Sequence, residues 1–230
     1  MPIKTKLYVN TNIVLGAAVI ASCLATWQTA DPRRYAVYLL LALMASALKV
    51  RLPGLTGTIS LTFLFVLIGL ADFSLPETVV IASGGALVQS LWKARRRPKA
   101  VQLLFNMSAL ATSVALAYTV SRFLLKGMAI HYLPLLLAVG ATIHFFTNTL
   151  LVSGVLSLVE QKPLAEVWQR CYLWTFPYYV VGAAIAGLIS VSSRAVGWQI
   201  PLLILPATYF VYLFYRQCVE RMARAASAGP

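Results

Sequence analysis

Long apolar stretches alternate with short polar interruptions along the whole chain. Eight apolar runs can be marked, at 12–27, 35–48, 58–71, 78–92, 101–120, 133–159, 172–191 and 198–215. A helix that crosses a bilayer needs about 20 such residues, within a range of about 17–25. The fifth, seventh and eighth runs fit that length. The second, third and fourth are short. Each of these predicts either a tilted span lengthened by snorkelling Arg or Lys, or a re-entrant element enclosed by protein. The third, preceded by Pro53, Gly54 and Gly57 and carrying Thr58, Ser60 and Thr62, is expected inside the bundle, away from lipid. The pattern predicts an all-α fold, a polytopic membrane bundle of six to eight transmembrane helices, with eight preferred. One domain at 1–215 and a short basic cytoplasmic tail at 216–230 are expected.

Charge placement adds an orientation. With the N-terminus inside, the cytoplasmic side collects Lys4, Lys6, Lys49, Arg51, Lys93, Arg95, Arg96, Arg97, Lys99, Lys162, Arg170, Arg216, Arg221 and Arg224. The outer side receives only Arg33, Arg34, Arg122, Lys126 and Arg194. The two sets account for all 19 basic residues. The positive-inside rule then predicts both termini in the cytoplasm of a multi-pass protein of the inner (plasma) membrane.

Composition excludes the other classes. The 230 residues are 60% hydrophobic and 11% charged, against about 45–50% and about 25% in soluble domains. A net charge of +13 would suggest nucleic acid in a soluble protein. Here the basic residues sit at the ends of apolar runs and form no phosphate-tracking face, so nucleic acid is not an expected partner. Anionic headgroups of the bilayer are. Cys23, Cys171 and Cys218 lie in or beside apolar segments without paired spacing and read as small hydrophobes. Lys4 and Lys6 before an apolar run, with Ile20-Ala21-Ser22-Cys23, resemble a cleaved leader. The run continues through Leu24, Ala25 and Trp27, which favours an uncleaved first span.

Two local motifs stand out. Ser74-Leu75-Pro76-Glu77 matches a capping box at a helix start, and places Asp72 and Glu77 on an outer acidic rim. The run of Lys93, Arg95, Arg96, Arg97 and Lys99 is either a contact for anionic lipid or an acidic partner, or a topology anchor between spans.

No enzyme constellation is present: no His-x-x-Glu-His spacing, no Gly-x-Ser-x-Gly elbow and no phosphate loop. No catalytic residue, metal or cofactor is expected. Polar residues inside the apolar runs are the remaining candidates. Gly140, His144, Thr147, Asn148 and Leu151 share one face of the sixth run. At about 1.5 Å per residue, His144 lies roughly 16 Å from Leu133, near the middle of a ~30 Å core. Gln102, Asn106, Ala109 and Ser113 stripe the fifth run, and Gln89 lies in the fourth. Unpaired polar groups are costly in hydrocarbon, so His144, Asn148, Asn106, Ser113 and Gln89 are expected to converge on one inward pocket for a small molecule. Interhelical packing through the same groups is the other reading. Gly182, Ala183, Ala186 and Gly187 are a small-residue stripe for close helix contact. Pro177 and Pro206 are expected to kink their helices.

The stretch Ala47-Leu48-Lys49-Val50-Arg51-Leu52-Pro53-Gly54-Leu55-Thr56-Gly57-Thr58-Ile59-Ser60, with Ser74–Glu77 and Gln89-Ser90-Leu91-Trp92-Lys93, resembles the N-terminal membrane region of bacterial cyclic-di-GMP signalling proteins. The resemblance covers about Tyr35 to Val120. It implies a non-enzymatic membrane-embedded sensor or interaction module with a cytoplasmic signalling partner. The output domain that those proteins carry is not expected here, because little sequence follows the last predicted run. The Pro/Gly-rich turn, the short third run and Ala82-Ser83-Gly84-Gly85-Ala86 also resemble the substrate-binding subunits of energy-coupling-factor vitamin transporters. That resemblance implies a small-molecule-binding membrane subunit with an ATPase partner.

Overall fold

The structure is a computed structural model that describes residues 3–51, 58–92, 94, 98–126, 132–197 and 199. The eighth apolar run except residue 199, the tail at 216–230, and Lys93, Arg95, Arg96 and Arg97 lie outside the described residues. So do Pro53, Gly54, Gly57 and Pro206.

Among the described residues, eight α-helices and one antiparallel strand pair follow in order: α1 Ile3–Ala25, α2 Pro32–Ala47, β1 Lys49–Arg51, β2 Thr58–Ser60, α3 Thr62–Asp72, α4 Leu75–Leu91, α5 Ala100–Leu124, α6 Leu133–Glu160, α7 Leu164–Cys171 and α8 Phe176–Val196. Local chemistry sets several starts. Asp31 caps α2, its carboxylate accepting from the Arg34 amide at 3.1 Å, with Pro32 in the first turn. Ser74 and Glu77 form the expected capping box on α4: the Ser74 amide donates to Glu77 Oε2 at 2.8 Å and the Glu77 amide to Ser74 Oγ at 3.5 Å.

Among the described residues, α1, α5, α6 and α8 are long and apolar enough to cross a membrane. The protein is a membrane protein built as a helical bundle. The shorter α2, α3 and α4 have 16, 11 and 17 residues. Three element starts depart most from the apolar runs. α1 starts nine residues before its run, because hydropathy marks the stretch suited to lipid and not where helical hydrogen bonding begins. The third run opens as a strand: Thr58–Ser60 pairs antiparallel with Lys49–Arg51, Val50 facing Ile59. The seventh run breaks into a single 3-10 turn, Leu173–Thr175, before α8 starts at Phe176. Pro177 therefore occupies the first turn of α8, where its missing amide hydrogen costs nothing, and does not kink the helix. The short α7, which no apolar run marks, precedes that turn.

α5 packs against α1, α4 and α6, while α3 is enclosed by α2, α4, α6 and α8. Every residue from Thr62 to Ala71 is buried, as expected for an element inside the bundle. At 11 residues and about 1.5 Å each, α3 rises about 16 Å, half of a ~30 Å core. Glycines on three neighbours make its seat. A Cβ on Gly85 of α4 would collide with Thr62, one on Gly182 of α8 with the Phe63 ring, and one on Gly140 of α6 would sit 3.0 Å from Leu70 Cδ1. The small-residue stripe of α8 thus serves two neighbours, Gly182 facing Phe63 of α3 and Gly187 facing Leu137 of α6, with Gly182 and Ala186 both buried. Helices in lipid associate by such close packing.

Candidate functional site

Two polar centres flank α3. The first surrounds His144, on the inward face of α6 and 1% exposed. Its ring is hydrogen-bonded to the backbone of Ser113. The Ser113 amide is committed within α5, so the partner of an imidazole N–H there is the carbonyl. Nδ1 of His144 is buried without a partner. A neutral imidazole that donates through Nε2 leaves Nδ1 as a bare acceptor. Beside it the Tyr179 ring lies 6.0 Å away, centre to centre, and Tyr179 is hydrogen-bonded to the Asn148 side chain.

Aromatic rings wall this layer. Phe145 packs edge-on against Tyr179 and Phe176, each at 5.1 Å. Phe63 of α3 lies 5.2 Å from Tyr179 and 4.4 Å from Tyr178. Trp168 of α7 stacks on Phe146 at 5.7 Å, and its indole N–H donates to Thr149 Oγ1 at 2.9 Å. Beside these rings His144 Nδ1 is an acceptor able to take a hydrogen bond from a donor group.

Three of the five predicted pocket residues meet here: His144, Ser113 through its backbone, and Asn148 through Tyr179. The Ser113 hydroxyl donates to its own helix, to the Ala109 carbonyl at 2.7 Å, so it does not serve the layer. Asn106 is exposed and donates to Ser90 Oγ at 3.2 Å across the α4–α5 seam. It is seven residues from Ser113, about 10 Å along α5. Gln89 is half-buried next to Ser90. Asn106 thus belongs to the α4–α5 seam, and Gln89 lies one residue from Ser90, the Asn106 partner. Lys99 is exposed before α5, its amide donating to Gln102 Oε1 at 3.0 Å. The aromatic wall was missed in the sequence, although the pairs Phe145-Phe146 and Tyr178-Tyr179 signal it.

The second centre closes the other end of α3. Asp72, whose side chain is 3% exposed, lies between two arginines. Arg194 of α8 donates to Asp72 Oδ1 from Nη2 at 2.8 Å and from Nε at 3.1 Å. Arg34 of α2 pairs with Asp72 Oδ2 at 3.4 Å. Arg194 also donates to the Ala71 carbonyl at 3.2 Å and Arg122 of α5 to the Leu70 carbonyl at 3.1 Å. Three guanidinium groups thus meet the carbonyl end of α3, where the helix dipole favours cations. Arg34 also lies over the Phe73 ring at 5.3 Å and Tyr38 at 5.7 Å. The expected acidic rim is accordingly not a surface feature. Asp72 is enclosed by arginines, and Glu77 is 5% exposed with its carboxylate turned to the Ser74 cap.

No family model, curated protein or solved structure matches the chain.

Proposed function

We propose that the protein is a non-enzymatic membrane-embedded sensor or interaction module that recognises a small molecule at the His144 layer. One observation carries the reading: a buried imidazole nitrogen, Nδ1 of His144, left without a partner inside an aromatic wall. Buried polar atoms are nearly always paired, and exceptions cluster where a ligand or water is expected. The ligand is then a flat, largely apolar molecule with a hydrogen-bond donor, and a cytoplasmic partner reads its presence. The same nitrogen favours a second reading, the substrate-binding membrane subunit of a transporter with an ATPase partner. The bundle belongs to this proposal in its finer form: eight spans, both termini cytoplasmic, inner membrane, with the basic run at 93–99 on anionic headgroups.

Small molecules released on denaturing the purified full-length protein test it by mass spectrometry. A compound present in wild type and missing from a monodisperse His144→Phe variant is the expected result. Equal small-molecule content in the two proteins overturns the reading. Uptake of that compound only with an added ATPase would select the transporter form.

A further inference from the structure

We infer that α3 is a movable plug over the His144 layer, latched at one end by Asp72 between Arg34 and Arg194. The inference rests on that layer being a recognition site and assigns how it is reached. α3 covers half the depth of a bilayer core, and its Phe63 ring sits in the Gly182 notch against Tyr178 and Tyr179. Withdrawing α3 would uncover Tyr179, and behind it His144.

The two ends of α3 differ in how firmly they are held. Near Thr62 the contacts are close-packed and neutral, with Ser46 Oγ and Thr62 Oγ1 at 2.7 Å. At Asp72 they are ionic and incompletely made. The Arg34 contact lacks hydrogen-bond geometry, and Arg34 Nε, Arg34 Nη2 and Asp72 Oδ2 are all buried without a hydrogen bond. The Arg194 side chain is 55% exposed, so water and salt reach that arm. A buried ion pair holds a helix no better than a well-packed apolar contact. What it adds is a contact that breaks and remakes without refitting the core. Arg34 and Arg194 come from different helices, so movement of α2 against α8 pulls the carboxylate from one partner or the other.

Thiol accessibility of the detergent-purified full chain tests the plug without any ligand. Cys23, Cys171 and Cys218 are replaced by Ala, and one reporter cysteine is placed at Ala186, fully buried in the core cluster that holds the α3 side chains and one helical turn from the Gly182 notch. A control reporter goes at Ala109, buried against α1 and α6 and away from α3. With Asp72→Asn, N-ethylmaleimide should label Ala186→Cys about tenfold faster, while Ala109→Cys keeps its rate, as local opening requires. Arg194→Gln, which keeps the Asp72–Arg34 pair and should fold more readily, is expected to raise the Ala186→Cys rate about threefold. Unchanged labelling at Ala186→Cys in the folded variants, or equal acceleration at both reporters, overturns the plug. If the rates behave as expected and His144→Phe retains the bound compound, the recognition reading fails and the plug stands. The reverse pattern removes the plug and leaves the recognition site.

Discussion

The two ends of α3 solve the same problem, holding a short helix inside a bundle, with opposite chemistry. One end is held by fit: Thr62 against Gly85 and Ser46, Phe63 against Gly182. The other is held by charge: Asp72 and the last carbonyls of α3 against Arg34, Arg122 and Arg194. A fitted end responds to volume and ignores charge, because it contains no ionised group. A charged end responds most to loss of the carboxylate, which leaves Arg34 without its counter-ion, and less to loss of the half-exposed Arg194, because Asp72 keeps Arg34. The comparison separates two kinds of fragility in one helix.

The largest expected effect comes from the charged end. Asp72→Ala leaves Arg34 facing two aromatic rings with no counter-ion, and removing one member of a buried pair costs about 3–5 kcal/mol. The melting temperature of the purified protein should fall far more for Asp72→Ala than for Arg194→Gln, whose side chain is 55% exposed. Equal losses would show that the carboxylate is not buried as described.

The fitted end gives the next effect. Gly182→Leu drives a side chain into the Phe63 ring, and overpacking costs about 1–3 kcal/mol. Phe63→Ala alone leaves a void. In the double variant the added leucine fills the space that the ring vacated, so the combined loss should be smaller than the sum by about 0.5–3 kcal/mol. Strict additivity in the melting temperatures would mean that the two positions do not touch.

What the sequence disclosed follows from how far each interaction reaches along the chain. The α4 cap was legible because Ser74 and Glu77 are three residues apart and act alone. The burial of α3 was legible because an apolar run too short to span, flanked by glycine and threonine, fits protein better than lipid. The burial of His144 was legible because a polar ring is costly toward lipid. The latch was not legible: Arg34 and Asp72 sit on different helices, and Arg194 lies 122 residues from Asp72. Charge counting assigned both arginines to topology, since in one dimension nothing distinguishes a loop cation from a latch. The five residues of the expected pocket divide between the His144 layer and the α4–α5 seam for a related reason. Periodicity gives the face of a helix but not the neighbour that covers it, and α4 covers Asn106 only along one edge.

Asn106 gives the smallest effect and marks the boundary of the comparison, because it is a polar group at neither end of α3. It is exposed, and its one described hydrogen bond runs to Ser90 at 3.2 Å. Interhelical hydrogen bonds in membranes average about 0.6 kcal/mol. Replacing the amide by Leu forfeits that bond but removes a polar group from an apolar surface, and the two contributions oppose each other. Asn106→Leu should therefore shift stability by less than about 0.5 kcal/mol, as exposed substitutions usually do. It should also leave unchanged both the labelling of a cysteine at Ala186 and the compound released from the His144 layer. A melting temperature lowered as far as in Asp72→Ala would place Asn106 inside a third buried centre, and the division of this bundle into a fitted end, a latched end and a neutral seam would fail.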